Sequence, residues 1–238
     1  MMSKMKIEIW SDIMCPFCYI GKRRLEQSLA SSPLQDAIEI EWKSYQLNPD
    51  LVTDPTIRID DYLALHKGMP KEQAHQLNQQ VTEMAKEEGL VFDFTRSVVA
   101  NTFKAHEFLH FAKKYNKQDE AKELLFKSYF TEGKNIDDMD VLESIAIALG
   151  IDAAEFAAAV AQGTFVDEVK MDIHEARQIG VKGVPFFVYN RKYAISGAQP
   201  LSLFEDTLQQ AYEEWNGANT ITLQNINTEA PSCGPEGC

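Results

Sequence analysis

Long apolar runs are missing from this chain of 238 residues. No stretch approaches the roughly 20 consecutive apolar residues that a membrane-spanning helix needs. The opening MMSKMKIEIWSD holds no apolar run of signal-peptide length and passes directly into an alternating pattern, so a cytoplasmic protein is expected. Positive charge is also short: 23 Lys and Arg stand against 36 Asp and Glu. That balance argues against a general affinity for nucleic acid or for anionic membrane surfaces. Cysteine is scarce, but the four present fall in two close pairs, Cys15 with Cys18 and Cys233 with Cys238. Where thiols stay reduced, such pairs more often mean catalysis or metal binding than a structural staple. No internal repeat is present.

Apolar material is plentiful, at 45% of the residues, enough for one domain carrying an insertion or for two small domains. Lys6 to Trp10 alternates apolar and polar residues, the pattern of a half-buried strand. Ser11 and Asp12 break it. Tyr19, Ile20, Leu25 and Leu29 then follow helical spacing from Pro16 until Pro33 forbids continuation. Ile38 to Tyr45 alternates again, completing a strand, helix, strand unit, and Asn48, Pro49, Asp54 and Pro55 mark a connecting loop.

After it the period changes. Leu77, Val81 and Met84, then Phe108, Phe111, Ala112 and Tyr115, then Leu142, Ile145, Ala146 and Leu149 are helically spaced. Asp152 with Glu155 resembles a capping box, and Gly150 and Gly163 stand where helices stop. Residues 59–180 are therefore predicted to be an all-helical insertion of six or seven helices. Strand signals return at Pro185 to Tyr189 and Tyr193 to Ile195. A last amphipathic helix follows, with Leu203, Leu208, Ala211 and Tyr212 turned inward. The predicted class is α/β, with residues 5–58 and 181–216 as two parts of one domain around the insertion and 217–238 as a flexible, polar tail.

Cys15 thus falls where a strand hands over to a helix, in the segment CPFC. A thiolate rather than a thiol attacks a disulfide, and the N-terminus of a helix stabilises negative charge with its unpaired N–H groups and dipole. Pro16 suits the first helical turn, where its missing N–H would have no partner. Phe17 adds an apolar lip. Cys15 is the expected exposed nucleophile, and Cys18, one turn deeper, the thiol that resolves a mixed disulfide. Thiol pKa values at such sites span about 3.5 to 7.5, so the motif leaves the redox direction open. Two other readings stand beside this one: zinc held by both cysteine pairs together, and a structural disulfide. The strand leading into C-x-x-C on a helix favours the redox pair.

These segments resemble a known family. WSDIMCPFCYIGKRRLE, NTFKAHEFLHFA and GVKGVPFFVYNRKYAISGAQP are similar to thioredoxin-fold oxidoreductases of the DsbA type, and more closely to the FrnE branch of dithiol-disulfide isomerases. The resemblance covers about residues 5–215. It implies a thioredoxin fold, a mixed sheet flanked by helices and interrupted by the helical insertion. It further implies that Cys15 and Cys18 are catalytic and that a cis peptide bond precedes Pro185 beside the sulfurs. The backbone of Val184 would then serve as a pairing edge for an extended substrate, with Pro16 and Phe17 lining the same site. The implied partners are protein or small-molecule disulfides and thiols, with no cofactor beyond the redox-active disulfide itself and glutathione as a candidate electron partner. The sequence leaves the oligomeric state open.

One departure matters. The periplasmic oxidant of this type carries a histidine where Phe17 stands, and Phe17 supplies no positive charge. Disulfide reduction or isomerisation is thus at least as well supported as oxidation. Glutathione-dependent transferases and isomerases of the kappa type share the layout but have a serine at the place of Cys15. A redox sensor or zinc-binding interaction module is the non-enzymatic alternative.

In the tail, Cys233 and Cys238 enclose a flexible turn. A free chain of about 20 residues spans roughly 25 Å, so this second pair is expected either to shuttle electrons to Cys15 and Cys18 or to be incidental. His66, His75, His106, His110 and His174 carry no HExxH-type motif, and satisfied or solvent-facing side chains are expected, including His106 and His110 at i and i+4. Lys182 is a candidate neighbour of the thiolate. Lys113, Lys114, Lys117, Asp119, Glu120 and Lys122 read as a solvated face.

Overall fold

The alternating run near the start becomes β1 (Met5–Ser11) in the computed structural model, which describes residues 4–219. α1 (Pro16–Ala30) and β2 (Ile38–Ser44) follow. β1 and β2 pair in parallel, from Met5 against Ile38 to Ser11 against Ser44, with α1 as the crossover that a parallel pair requires. Seven helices come next: α2 (Ile59–Lys67), α3 (Lys71–Glu87), α4 (Phe103–Lys113), α5 (Gln118–Phe126), α6 (Met139–Ala148), α7 (Ala153–Ala161) and α8 (Val166–Gln178). The side chain of Asp152 accepts hydrogen bonds from the N–H groups of Ala154 and Glu155 and so caps α7. Gly150 and Gly163 end α6 and α7 with φ of 70° and 64°, a left-handed conformation that suits a residue without Cβ.

β3 (Phe186–Tyr189) runs antiparallel to β1, β4 (Tyr193–Ser196) runs antiparallel to β3, and α9 (Leu201–Asn219) closes the described chain. The sheet order is β2-β1-β3-β4, which makes the fold a mixed four-stranded sheet interrupted by the helical block.

Two expectations are corrected here. β1 is not half-buried: Ile7 and Ile9 pack with Leu25 and Leu29 of α1 and Phe204 and Leu208 of α9, while Trp10 on the other face packs with Ala176 and Val181. Glu8, on that second face, is buried too. A central strand is covered from both sides, so its polar positions must find charge partners, and Glu8 finds Arg191 and Lys43. In α9, Leu203 is exposed and Phe204 takes the inward place, edge-on to Phe187 with ring centroids 4.9 Å apart.

The helical block shares its core with the head of α1. Ile13, Cys15, Cys18, Tyr19 and Ile20 belong to one buried cluster with Phe108, Leu125, Phe126 and Phe130. Tyr19 stacks on Phe126 at 4.7 Å. Its hydroxyl donates to Glu123, which also pairs with Lys22 and Arg23.

Candidate active site at the head of helix α1

Cys15 is the N-cap residue of α1, with φ −89° and ψ 111° and no side-chain capping bond, and Pro16 opens the helix. The N–H of Cys18 donates to the Cys15 carbonyl at 3.0 Å, and that of Cys15 to the Asp12 carbonyl at 3.2 Å. This turn carries two free thiols. A cis bond joins Val184 to Pro185, and the Cys15 Sγ lies 3.4 Å from the Val184 carbonyl oxygen. Cys15, Cys18, Val184 and Pro185, distant in sequence, are thus brought together, with Phe17 39% exposed at the rim.

Gly21, one turn beyond Cys18, lets this contact form. A Cβ there would come within 3.1 Å of Pro185 Cγ and 3.0 Å of Phe187 Cζ, tighter than packed carbons tolerate without displacement.

The expected exposed nucleophile is not what the reduced pair presents. Cys15 is 4% exposed and Cys18 fully buried. The hydrogen bond with Cys18, burial and the adjacent Cys18 charge push the Cys15 thiol up rather than down. Two sulfurs one turn apart cannot both ionise, and in the reduced state this repulsion and desolvation outweigh the helix N-terminus.

Sequence reasoning missed the polar groups beneath the thiols. Asp12 is buried; its Oδ2 accepts from the Leu47 N–H at 2.8 Å, and its Oδ1 lies 3.5 Å from His106 Nε2. His106 is fully buried with neither ring nitrogen hydrogen-bonded, against expectation, and burial pulls its pKa down. Lys122, read as part of a solvated face, is fully buried and its Nζ has no hydrogen-bond partner. The ammonium lies 4.8 Å from the centre of the Phe126 ring and 5.3 Å from that of Trp42. A signal was there: Gln118, Ala121, Lys122, Leu125 and Phe126 form one buried stripe of α5, the i, i+3, i+4, i+7, i+8 spacing of an inward face.

The other histidines keep to expectation. His66 stacks on Tyr62, His75 pairs with Asp60, His174 meets Gln178, and His110 lies 3.1 Å from both Asp172 Oδ2 and Ser44 Oγ. Lys182 is exposed. Among the described residues there is no group of three or more His, Cys, Asp or Glu that could hold a metal ion, and no helix long and apolar enough to cross a membrane. Cys233 and Cys238 lie outside the described residues.

A dithiol turn at a helix head, facing a cis proline at the entrance to a mixed sheet, is the arrangement of thioredoxin-fold disulfide oxidoreductases. Within that class the chain belongs to the DsbA-like thioredoxin domain family, whose model matches residues 6–209. It is 36% identical to the probable DsbA oxidoreductase of Streptomyces coelicolor, whose structure superposes with a TM-score of 0.83 over 98% of each chain. YwbO, an uncharacterized protein of Bacillus subtilis, is 29% identical over 204 residues, covering 85% of this chain and 94% of that one. The cytosolic disulfide reductase DsbM of Pseudomonas aeruginosa, solved with GSH, shares the fold with a TM-score of 0.62 at 15% identity, over 87% of this chain and 99% of that one.

Proposed function

We propose that the protein reduces or isomerises disulfides of peptide or small thiol substrates in a reducing, cytoplasmic setting, with Cys15 as nucleophile and Cys18 as resolving thiol. The observation that carries this reading is the free Cys15–Cys18 pair at the head of α1 with Cys15 against the Val184 carbonyl. Cys15 is the less buried sulfur, so an incoming disulfide meets it first. Its thiolate attacks one substrate sulfur, a mixed disulfide forms, and the other substrate sulfur leaves as a thiolate. Cys18 then attacks Cys15, closing the enzyme disulfide and releasing the second substrate thiol.

The backbone at Val184 and cis Pro185 supplies the pairing edge for an extended substrate segment, and Pro16 and Phe17 give an apolar border. Phe17 carries no charge that would stabilise the thiolate as a histidine does, which supports reduction or isomerisation over strong oxidation. Glutathione is the proposed electron partner.

Insulin reduction by the purified chain tests the assignment. Cys15→Ser is expected to abolish turnover, and Cys18→Ser to accumulate a mixed disulfide. Equal activity in Cys15→Ser would refute the reading, and equilibration with glutathione buffers gives the direction of electron flow.

A further inference from the structure

Arg24 lies three residues beyond Gly21 on α1, on the helix face that meets Pro185 and Phe187. It grips two other parts of the chain. Its Nε pairs at 2.6 Å with Glu88, the residue that closes α3, and its Nη1 donates to the carbonyls of Ala198 and Gln199 at 2.7 and 3.1 Å. Gln27 donates to the second Glu88 oxygen at 3.0 Å. The Arg24 side chain is 14% exposed and that of Glu88 11%, so the guanidinium is held in one orientation between its partners.

The two carbonyls belong to the segment that leaves β4. Gly197, just before them, donates its N–H to the Pro185 carbonyl at 2.8 Å. Proline has no N–H, so this carbonyl is the one backbone group by which Pro185 can be held. Its neighbour Val184 lies with its own carbonyl 3.4 Å from the Cys15 Sγ. Ala198 and Val184 both pack against the buried cluster that contains Cys15 and Cys18. A continuous path therefore runs from α1 through Arg24, residues 197–199 and Pro185 to the edge at Val184, and α1 carries the sulfurs that face that edge.

From this path we infer that Arg24 is a positioning residue for substrate: it fixes the spacing between the Cys15 sulfur and the Val184–Pro185 edge, and so favours extended peptide disulfides over small ones. The inference rests on the disulfide-exchange reading above. A peptide paired along Val184 must meet the edge and the sulfur at once, whereas a small disulfide needs the sulfur alone. Arginine suits the place because its planar fork offers donors to a carboxylate and to two carbonyls together, while a lysine ammonium is a single point on a flexible stem. A misplacement of about 1 Å between a bound substrate and the reacting group costs up to about a hundredfold in rate.

The test offers insulin and hydroxyethyl disulfide in turn to the reduced full chain and follows the Cys15–Cys18 disulfide by quenched mass spectrometry, which gives a second-order rate constant for each. Arg24→Gln is expected to lower the insulin constant about tenfold and the hydroxyethyl disulfide constant by less than about twofold. Arg24→Lys, which keeps the charge beside Glu88 and gives up the fork, is expected to show the same split, and it reads that split should the glutamine variant not fold. Gln118→Ala of α5 removes two buried hydrogen bonds with Trp42 of β2. It weakens the fold at the sheet edge and is expected to leave the ratio of the two constants unchanged.

Equal losses for the two disulfides in the Arg24 variants overturn the inference, as does an unchanged insulin constant or a split in Gln118→Ala. If the wild-type chain is oxidised by neither disulfide, the functional reading falls instead. Hydrogen exchange at the Gly197 N–H then decides the positioning: it is expected to be about tenfold faster in Arg24→Gln than in Gln118→Ala, and equal rates overturn the role of Arg24.

Discussion

Burial and charge pull in opposite directions on Lys122. An ammonium sealed from water loses its hydration, and here only anionic neighbours and aromatic faces replace it. The folded chain therefore holds this proton less tightly than the unfolded chain does, at about 8 against the ordinary 10.5. Below pH 8 both states are protonated and the full penalty, about 3 kcal/mol, weighs on the fold; it is relieved as pH rises from about 8 to 10.5. Lys122→Met, which keeps the length and removes the charge, is expected to raise the urea midpoint at pH 7 by about 1–3 kcal/mol of stability, with the gain shrinking toward pH 10. A variant less stable than wild type at pH 7 contradicts this. Charged residue type alone suggested a surface position for Lys122, while the apolar spacing around it, Ala121, Leu125 and Phe126, pointed inward. Periodicity is the better guide, because a helix face is buried or exposed as a unit.

At the scale of elements, β2 is one edge of the sheet, and an uncovered edge offers unpaired N–H and C=O groups to other chains. Here helices cover it. The Gln118 side chain of α5 accepts from the Trp42 N–H at 3.0 Å and donates to the Trp42 carbonyl at 2.9 Å, both buried. Asp119 accepts from the Trp42 indole at 2.8 Å, and Asp172 of α8 accepts from the Ser44 N–H at 2.9 Å. Gln118→Ala leaves a buried donor and a buried acceptor unpaired. A loss of about 2–3 kcal/mol is expected by urea unfolding, with no change in the thiol chemistry of Cys15; a loss below about 0.5 kcal/mol would show that water satisfies the edge. The strands, α1 and the helical character of residues 59–180 were legible because each has its own period and breakers. The docking of α5 on β2 was not, since one glutamine among many polar residues carries no local mark of a partner 76 positions away.

Across the whole molecule, ion clusters join the helical block to the sheet domain. Glu41 of β2 meets Lys113 of α4 as well as Lys6 and Lys43. Asp172 of α8 meets Lys43 and His110, and Glu123 of α5 meets Lys22 and Arg23 of α1. Burial pushes each of these carboxyls up, but hydrogen bonds and nearby lysine and arginine charge more than offset it. Hydrogen bonds from Lys113 and Lys6 bring Glu41 down to about 2, and Glu123 and Asp172 are also held below their ordinary values. A depressed carboxyl stabilises the fold above its unfolded pKa and loses that contribution as pH falls through the folded one. Stability is thus expected to hold down to about pH 5 and to decline steadily toward pH 2. Glu41 alone would account for about 2 kcal/mol after screening of the half-exposed lysines. Urea titrations at pH 7, 4 and 3 check this, and an unchanged midpoint at pH 3 would contradict it.

The order of elements, the helix that begins at Pro16 and the spacing of the two thiols are properties of neighbouring residues, and period, breakers and the motif record them directly. The resemblance in GVPFFVYN extended that reading to the cis bond before Pro185. Folding alone turned the Val184 carbonyl onto the Cys15 sulfur, enclosed both sulfurs, and set Asp12, His106 and Lys122 in the same buried cluster. Those contacts join positions roughly 90 to 170 residues apart, set by how packed layers exclude water. A local pattern holds no record of which distant charge will share that dry space.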